Sequence, residues 1–113
     1  MPADRMRRVD EAIRQVLADA LAGELADPRV GFVTVTDVKT SPDLRSARVF
    51  VSVLGGEVER EASLAGLRSA HGLLQRQIAG QLHLRRTPTL EFVYDPTTDR
   101  AQRVEALLRE PPR

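Results

Sequence analysis

The strictest constraint in this chain is the run from Ser46 to Leu54, where apolar and mostly polar positions alternate. Ala47, Val49, Val51 and Val53 fall on one side, and Ser46, Arg48, Phe50 and Ser52 on the other. A period of two belongs to a strand with one face buried, and a one-residue slip would turn every valine outward. The preceding run, Val30 to Val38, is dense in β-branched residues and reads as a partner strand. Thr40 to Asp43 joins the two with turn chemistry, Pro42 presetting its own φ angle. Such a sheet needs helices over its apolar face, while the other face stays partly open.

Helical patterns flank the strands on both sides. Val9, Ile13, Val16, Leu17, Ala20, Leu21 and Leu25 recur at the three- and four-residue spacing of one apolar stripe. Asp4 can cap its start, and Asp27-Pro28 stops it, because a residue before proline is pushed out of helical geometry. Beyond Gly55-Gly56, Glu57, Glu59 and Glu61 place negative charge where a helix N-terminus favours it. Leu64, Leu67, Leu74, Ile78 and Leu82 then continue at helical spacing to Leu84, with Gly66, Gly72 and Gly80 inside the pattern. The cluster Ser69 to Gly72 is the expected break, giving two helices instead of one. Leu90 to Tyr94 reads as a third strand, ended by Asp95-Pro96. Thr98 or Asp99 can cap a last helix carrying Ala101, Val104, Leu107 and Leu108. The order is α-β-β-α-α-β-α, expected as one α+β domain over residues 1–113 with its core from about residue 5 to residue 109.

Composition removes whole classes of chemistry. There is no cysteine, which excludes disulfides, thiolate metal sites and cysteine nucleophiles. No apolar run reaches the roughly 18 residues of a membrane span, and the charged first residues do not read as a secretory signal. A soluble cytoplasmic domain is expected, with no membrane partner. His71 and His83 lie in a helical, arginine-rich stretch without a nucleophile elbow or a second metal ligand at helical or hairpin spacing. Asp95 with Asp99 reads as turn chemistry, and the Glu57 to Glu61 run as a solvated helix start. No phosphate-cradling glycine motif occurs. The expectation is a protein without catalytic residues, metal, cofactor or small-molecule substrate.

What stands out is electrostatic. The chain has 17 basic and 16 acidic residues, net +1, and every basic residue except Lys39 is arginine. Arginine's planar fork suits phosphate, although a GC-rich genome yields the same bias through its codons. Placement says more. Between Glu61 and Glu91 there is no acidic residue, and the stretch holds Arg68, Arg76, Arg85, Arg86 and both histidines. It carries +4 while the remaining residues sum to −3, so one segment reads as a face that meets an anion. Gln75, Gln77 and Gln81 add neutral hydrogen-bonding groups around the arginines. Arg5, Arg7 and Arg8 sit in the first turns of a helix, where the dipole disfavours cations, and are expected to support the same contact. Phe32, Phe50 and Phe92 are expected in the core, not as base-stacking platforms.

Several separate motifs, in order, resemble bacterial ribosome-binding factor A: Glu24–Arg29 (ELADPR), Val33–Val38 (VTVTDV), Ser41–Leu44 (SPDL), Ala47–Gly55 (ARVFVSVLG) and Arg86–Phe92 (RTPTLEF) with Asp95 after it. The resemblance runs from about Arg8 to Leu108. It implies a type II KH-like fold, agreeing with the order read from periodicity up to the last helix. It also implies that an Ala-x-Gly kink, here Ala70-His71-Gly72, stands where other KH domains place their RNA-gripping loop, with Gly72 ending the first helix in a left-handed conformation. By resemblance the expected role is a non-enzymatic factor in late assembly of the small ribosomal subunit. It would bind free 30S subunits and 16S rRNA near the 5′ terminal helix, support rRNA 5′-end processing, and be associated with growth in the cold. The expected RNA-binding residues are Arg68, Ala70, His71, Gly72, Arg76, Arg85 and Arg86, with Arg5, Arg7 and Arg8, on a monomer. Two rivals are a protein-binding adaptor using the open sheet face or an edge strand, and a small nuclease, which would lack a base, a metal site and a nucleophile.

Overall fold

The computed structural model describes residues 2–23 and 29–97. Six elements follow in the order α1 (Pro2–Ala22), β1 (Val33–Thr40), β2 (Ser46–Val53), α2 (Glu57–Ser69), α3 (His71–Gln81) and β3 (Thr89–Tyr94). The expected last helix, like Leu25 and the Asp27-Pro28 stop, lies outside the described residues. β2 is the central strand, antiparallel to β1 and parallel to β3. A parallel neighbour requires a crossover, and α2 and α3 supply it.

The alternation in β2 sorts as its period demands. Ala47, Val49, Val51 and Val53 are buried, Ser46 and Arg48 are exposed, and Phe50 and Ser52 are half-buried on the opposite face. Ile13 and Leu17 of α1, Leu64 and Leu67 of α2, and Leu74 and Ile78 of α3 cover the valine face, with Val35, Val38, Leu90 and Phe92 from the flanking strands. Fully burying side chains of this size stabilises by about 1.5–3 kcal/mol each. All three helices therefore lie on one side of the sheet.

One strand boundary differs from the sequence expectation. The β-branched run suggests a first strand over 30–38, whereas β1 occupies 33–40. Gly31 is held outside the ladder, its N–H donating to Ser63 Oγ at 3.2 Å. At the other end Thr40 still pairs with Ala47, and the reversal is made by 41–45. Ser41 organises it: its hydroxyl donates to Asp43 Oδ1 at 2.7 Å and accepts from the Ser46 N–H at 3.1 Å. Leu44 completes the turn with φ 61°, a left-handed conformation unusual for leucine. The β1–β2 register shifts between Val35 and Asp37, placing a bulge at Thr36.

Of the three phenylalanines, only Phe92 is buried in the core. Phe50 is half-buried on the open face. Phe32 is 81% exposed, against the core expectation. It precedes β1 and contributes its carbonyl to the sheet end, accepting from the Leu54 N–H at 3.0 Å, while its ring is left outside.

Candidate nucleic-acid interface

The acid-free segment folds as two helices that meet at one residue. Ala70 ends α2 and begins α3, with φ −88° and ψ 3°. That ψ is some way from the helical value of about −42°, enough to turn the chain. Its N–H still donates to the carbonyls of Gly66 and Leu67, at 3.0 and 3.1 Å, and its own carbonyl accepts from Leu74 N–H at 3.0 Å. The backbone is thus bonded on both sides of the bend. Gly72 does not make it. It is the second residue of α3, and Gly55 is the glycine with positive φ, at 120°, among the described residues. A Cβ on Gly72 would meet nothing within 4 Å. The expectation of a left-handed Gly72 is corrected: a shift of ψ at Ala70 suffices for the turn, so no residue there needs positive φ.

Each arginine singled out from the sequence is exposed. Arg68 lies in the last turn of α2, where a cation suits the dipole, and its Nη2 donates to the Phe92 carbonyl of β3 at 3.4 Å. Arg76 projects from α3, and Arg85 and Arg86 from the connection to β3. His71, the first residue of α3, is exposed and holds its Nδ1 2.7 Å from the Arg68 carbonyl. The glutamines divide differently from expectation. Gln75 Oε1 accepts from the Leu90 N–H at 3.3 Å and so tethers α3 to β3, while Gln81 donates to Gln77 at 3.1 Å.

Arg5, Arg7 and Arg8 are exposed on α1 but belong to another place. Arg7 lines a cleft with Asp10, Arg14, Asp37 and Lys39, where α1 crosses the end of β1. Asp10 Oδ1 anchors that crossing by accepting from the Thr40 N–H at 2.9 Å. The groove shared with α3 begins near Asp19 and Ala20, alongside Leu73 and Gln77. At 1.5 Å per residue, Arg8 is roughly 16 Å from Asp19 along the helix axis. Arg68, Arg76, Arg85 and Arg86 thus lie on α2, α3 and the connection to β3, and the N-terminal three on α1.

Ion pairing separates the basic residues into two kinds. Arg14 pairs with Glu11, Lys39 with Asp37, Arg45 with Asp43 and Arg48 with Glu91. Arg60 stacks over the Tyr94 ring, 3.9 Å from its centroid. Among the described residues, Arg5, Arg7, Arg8, Arg68, Arg76, Arg85 and Arg86 have no carboxylate partner. These are the arginines selected from charge patterning. No group of three or more metal-ligating side chains occurs among the described residues, and no described helix is long and apolar enough to cross a membrane.

A central strand antiparallel to one neighbour and parallel to the other, with three helices on one face and a basic kinked pair as the crossover, defines a type II KH-like domain. The chain belongs to the ribosome-binding factor A family, whose model matches residues 5–108. Among curated relatives, ribosome-binding factor A of Anaeromyxobacter sp. (strain Fw109-5) is 50% identical over 107 residues, covering 94% of this chain and 88% of that one. The Brevibacillus brevis protein of the same name is 48% identical over 110 residues, covering 97% and 91%. Among solved structures, the crystal structure of ribosome-binding factor A from Thermus thermophilus superposes with a TM-score of 0.70 at 29% identity, covering 79% of this chain and 94% of that one. A Thermus thermophilus homology model fitted into the cryo-EM map of a 30S–ribosome-binding factor A complex gives a TM-score of 0.61 at 31% identity, covering 76% and 90%.

Proposed function

We propose that this chain is a non-catalytic maturation factor that binds free 30S subunits through 16S rRNA, near the 5′ terminal helix, and supports late 30S assembly and 5′-end processing. The observation that carries this reading is the set of exposed arginines without carboxylate partners on α2, α3 and the connection to β3. Arginines that carry no intramolecular pair keep their donors for phosphate. A relative fitted as a 30S complex supports the same class of partner. Phosphate contacts position a protein without reading sequence, so recognition rests on the shape of a folded rRNA region. In this reading the protein acts as a cytoplasmic monomer, without cofactor, and its link to growth in the cold follows from the family resemblance. In this reading residues 1–113 act as one domain.

The deciding experiment reverses Arg76 and Arg85 together to Glu and measures affinity for free small subunits. Both side chains are exposed, so the domain should stay folded. Binding is expected to weaken by more than about tenfold, from charge reversal at two phosphate contacts. Unchanged binding at moderate salt would overturn the assignment of this face. Phe32, exposed at the entry to the edge strand β1, favours a second reading as a protein-docking adaptor. That reading predicts an affinity insensitive to the double reversal and lost on Phe32→Ser.

A further inference from the structure

His71 stands at the bend with one ring nitrogen already committed. Its Nδ1 lies 2.7 Å from the Arg68 carbonyl oxygen, which can only accept. The nitrogen must therefore carry the hydrogen, and the neutral ring is the Nδ1–H tautomer. Nε2, at the far edge of an exposed ring, has no partner among the described residues. In the neutral ring Nε2 is an acceptor, which a phosphate oxygen cannot use. Once protonated, it is a charged donor that a phosphate oxygen can take.

We propose that His71 is a proton-dependent phosphate contact: Nε2 takes a proton from solvent as the rRNA phosphodiester arrives, while Nδ1–H stays on the Arg68 carbonyl. This inference rests on the proposed rRNA-binding face and adds that docking there takes up one proton. Among the described residues, no carboxylate is bonded to the ring. Arg68 of α2 and Arg76 of α3 are cations, and neither α3 nor the last turn of α2 carries a carboxylate. From α1, Asp19 is already bonded to Gln15 at 3.0 Å. On β3, Glu91 pairs with Arg48 on the open side of the sheet. With no carboxylate bonded to the ring among the described residues, the negative charge beside an imidazolium is left for the ligand to supply. The bond to the Arg68 carbonyl fixes the ring against the bend, so Nε2 is presented at a set angle before binding.

The test is subunit affinity from pH 6 to pH 8 at constant moderate salt, for the unaltered chain, His71→Gln and His83→Gln. Uptake of one proton tightens binding as pH falls, by at most about tenfold per pH unit. His71→Gln is expected to flatten that dependence relative to the unaltered chain, and His83→Gln to keep it. An unchanged pH dependence in His71→Gln overturns the proposal, while the Arg76 and Arg85 reversal reports separately on the rRNA-binding face. Nitrogen chemical shifts of the His71 ring give a second readout in the unaltered protein. An imidazolium at pH 7 in the complex, with the Nδ1–H tautomer in the free protein, supports the proposal. A neutral ring in the complex overturns it.

Discussion

Two glycines show how the same substitution changes sign with its surroundings. Gly55 has φ 120°, and a Cβ there would sit 2.8 Å from Glu59 Cγ. Glu59 is not free to withdraw without loss, because its Oε2 accepts from the Gly56 N–H at 2.9 Å and so caps α2. Gly55→Ala is expected to destabilise by about 1–3 kcal/mol. Gly72 has open space at its Cβ position and helical surroundings. Gly72→Ala is expected to be neutral or to stabilise by up to about 1 kcal/mol. Urea denaturation of the two variants checks both signs at once, and a destabilised Gly72→Ala would mean that the bend needs this residue after all. Asp95 gives a pH signature of a different kind. The Thr36 hydroxyl first, at 2.7 Å, and then the Thr97 N–H, at 2.9 Å, hold its carboxyl below the usual carboxylate range. A carboxyl depressed on folding stabilises above its unfolded pKa, about 3.9, and that contribution is lost as pH falls through the folded value. Asp95→Asn should therefore be less stable than the unaltered chain at pH 7, with the gap closing below about pH 4. A gap constant from neutral to acid pH would assign the loss to packing instead.

At the level of elements, α1 offers a test that separates stability from binding. Its first turns carry Asp4 as a favourable charge and Arg5, Arg7 and Arg8 as unfavourable ones. Replacing the three arginines with Gln is expected to leave the melting temperature unchanged or higher while lowering subunit affinity modestly. A clear loss of stability with normal binding would make them structural. How much can be read without coordinates also differs by element. β2 is fully legible because burial on one face writes period two into its residues. The break between α2 and α3 is legible from Ser69 to Gly72, but its mechanism is not. Glycine suggests positive φ, and only the backbone shows that Ala70 turns the chain at negative φ, mainly through ψ. The bulge at Thr36 leaves no local mark, since it exists only in the pairing with β2. Gln75 looks like part of a binding face because nothing nearby in sequence announces its bond to Leu90. The unpaired arginines are legible between Glu61 and Glu91, where acids are missing altogether. The Arg48–Glu91 pair is not, because it forms between parallel neighbours far apart in the chain.

For the whole molecule the two clusters of unpaired arginine act together only through a surface large enough to span both. A folded rRNA region offers such a surface. Each phosphate neutralised contributes roughly −0.7 to −0.9 to the slope of log affinity against log salt. Arg68, Arg76, Arg85 and Arg86 together predict a slope of about −3 from the kink face. The N-terminal arginines, if engaged in the same complex, add to it, and their Gln variants should reduce it. A salt titration of the unaltered chain beside both variants measures how many contacts each cluster makes. A slope near zero would favour an apolar, protein-docking interface.

The parallel pairing of β2 with β3 has a further consequence, in the order of folding. The β1–β2 hairpin closes over the short 41–45 loop, so its ends meet early. β3 finds β2 only after the whole 54–88 segment has been drawn in, and that segment is the basic helix pair itself. Until Leu90 and Phe92 seat beside Ala47 and Val49, the second half of the crossover is held to the sheet only by the apolar packing of Leu74 and Ile78. The cationic face is thus expected to be assembled after the hairpin. A chain still emerging from the ribosome that makes it carries these arginines without the geometry that gathers them.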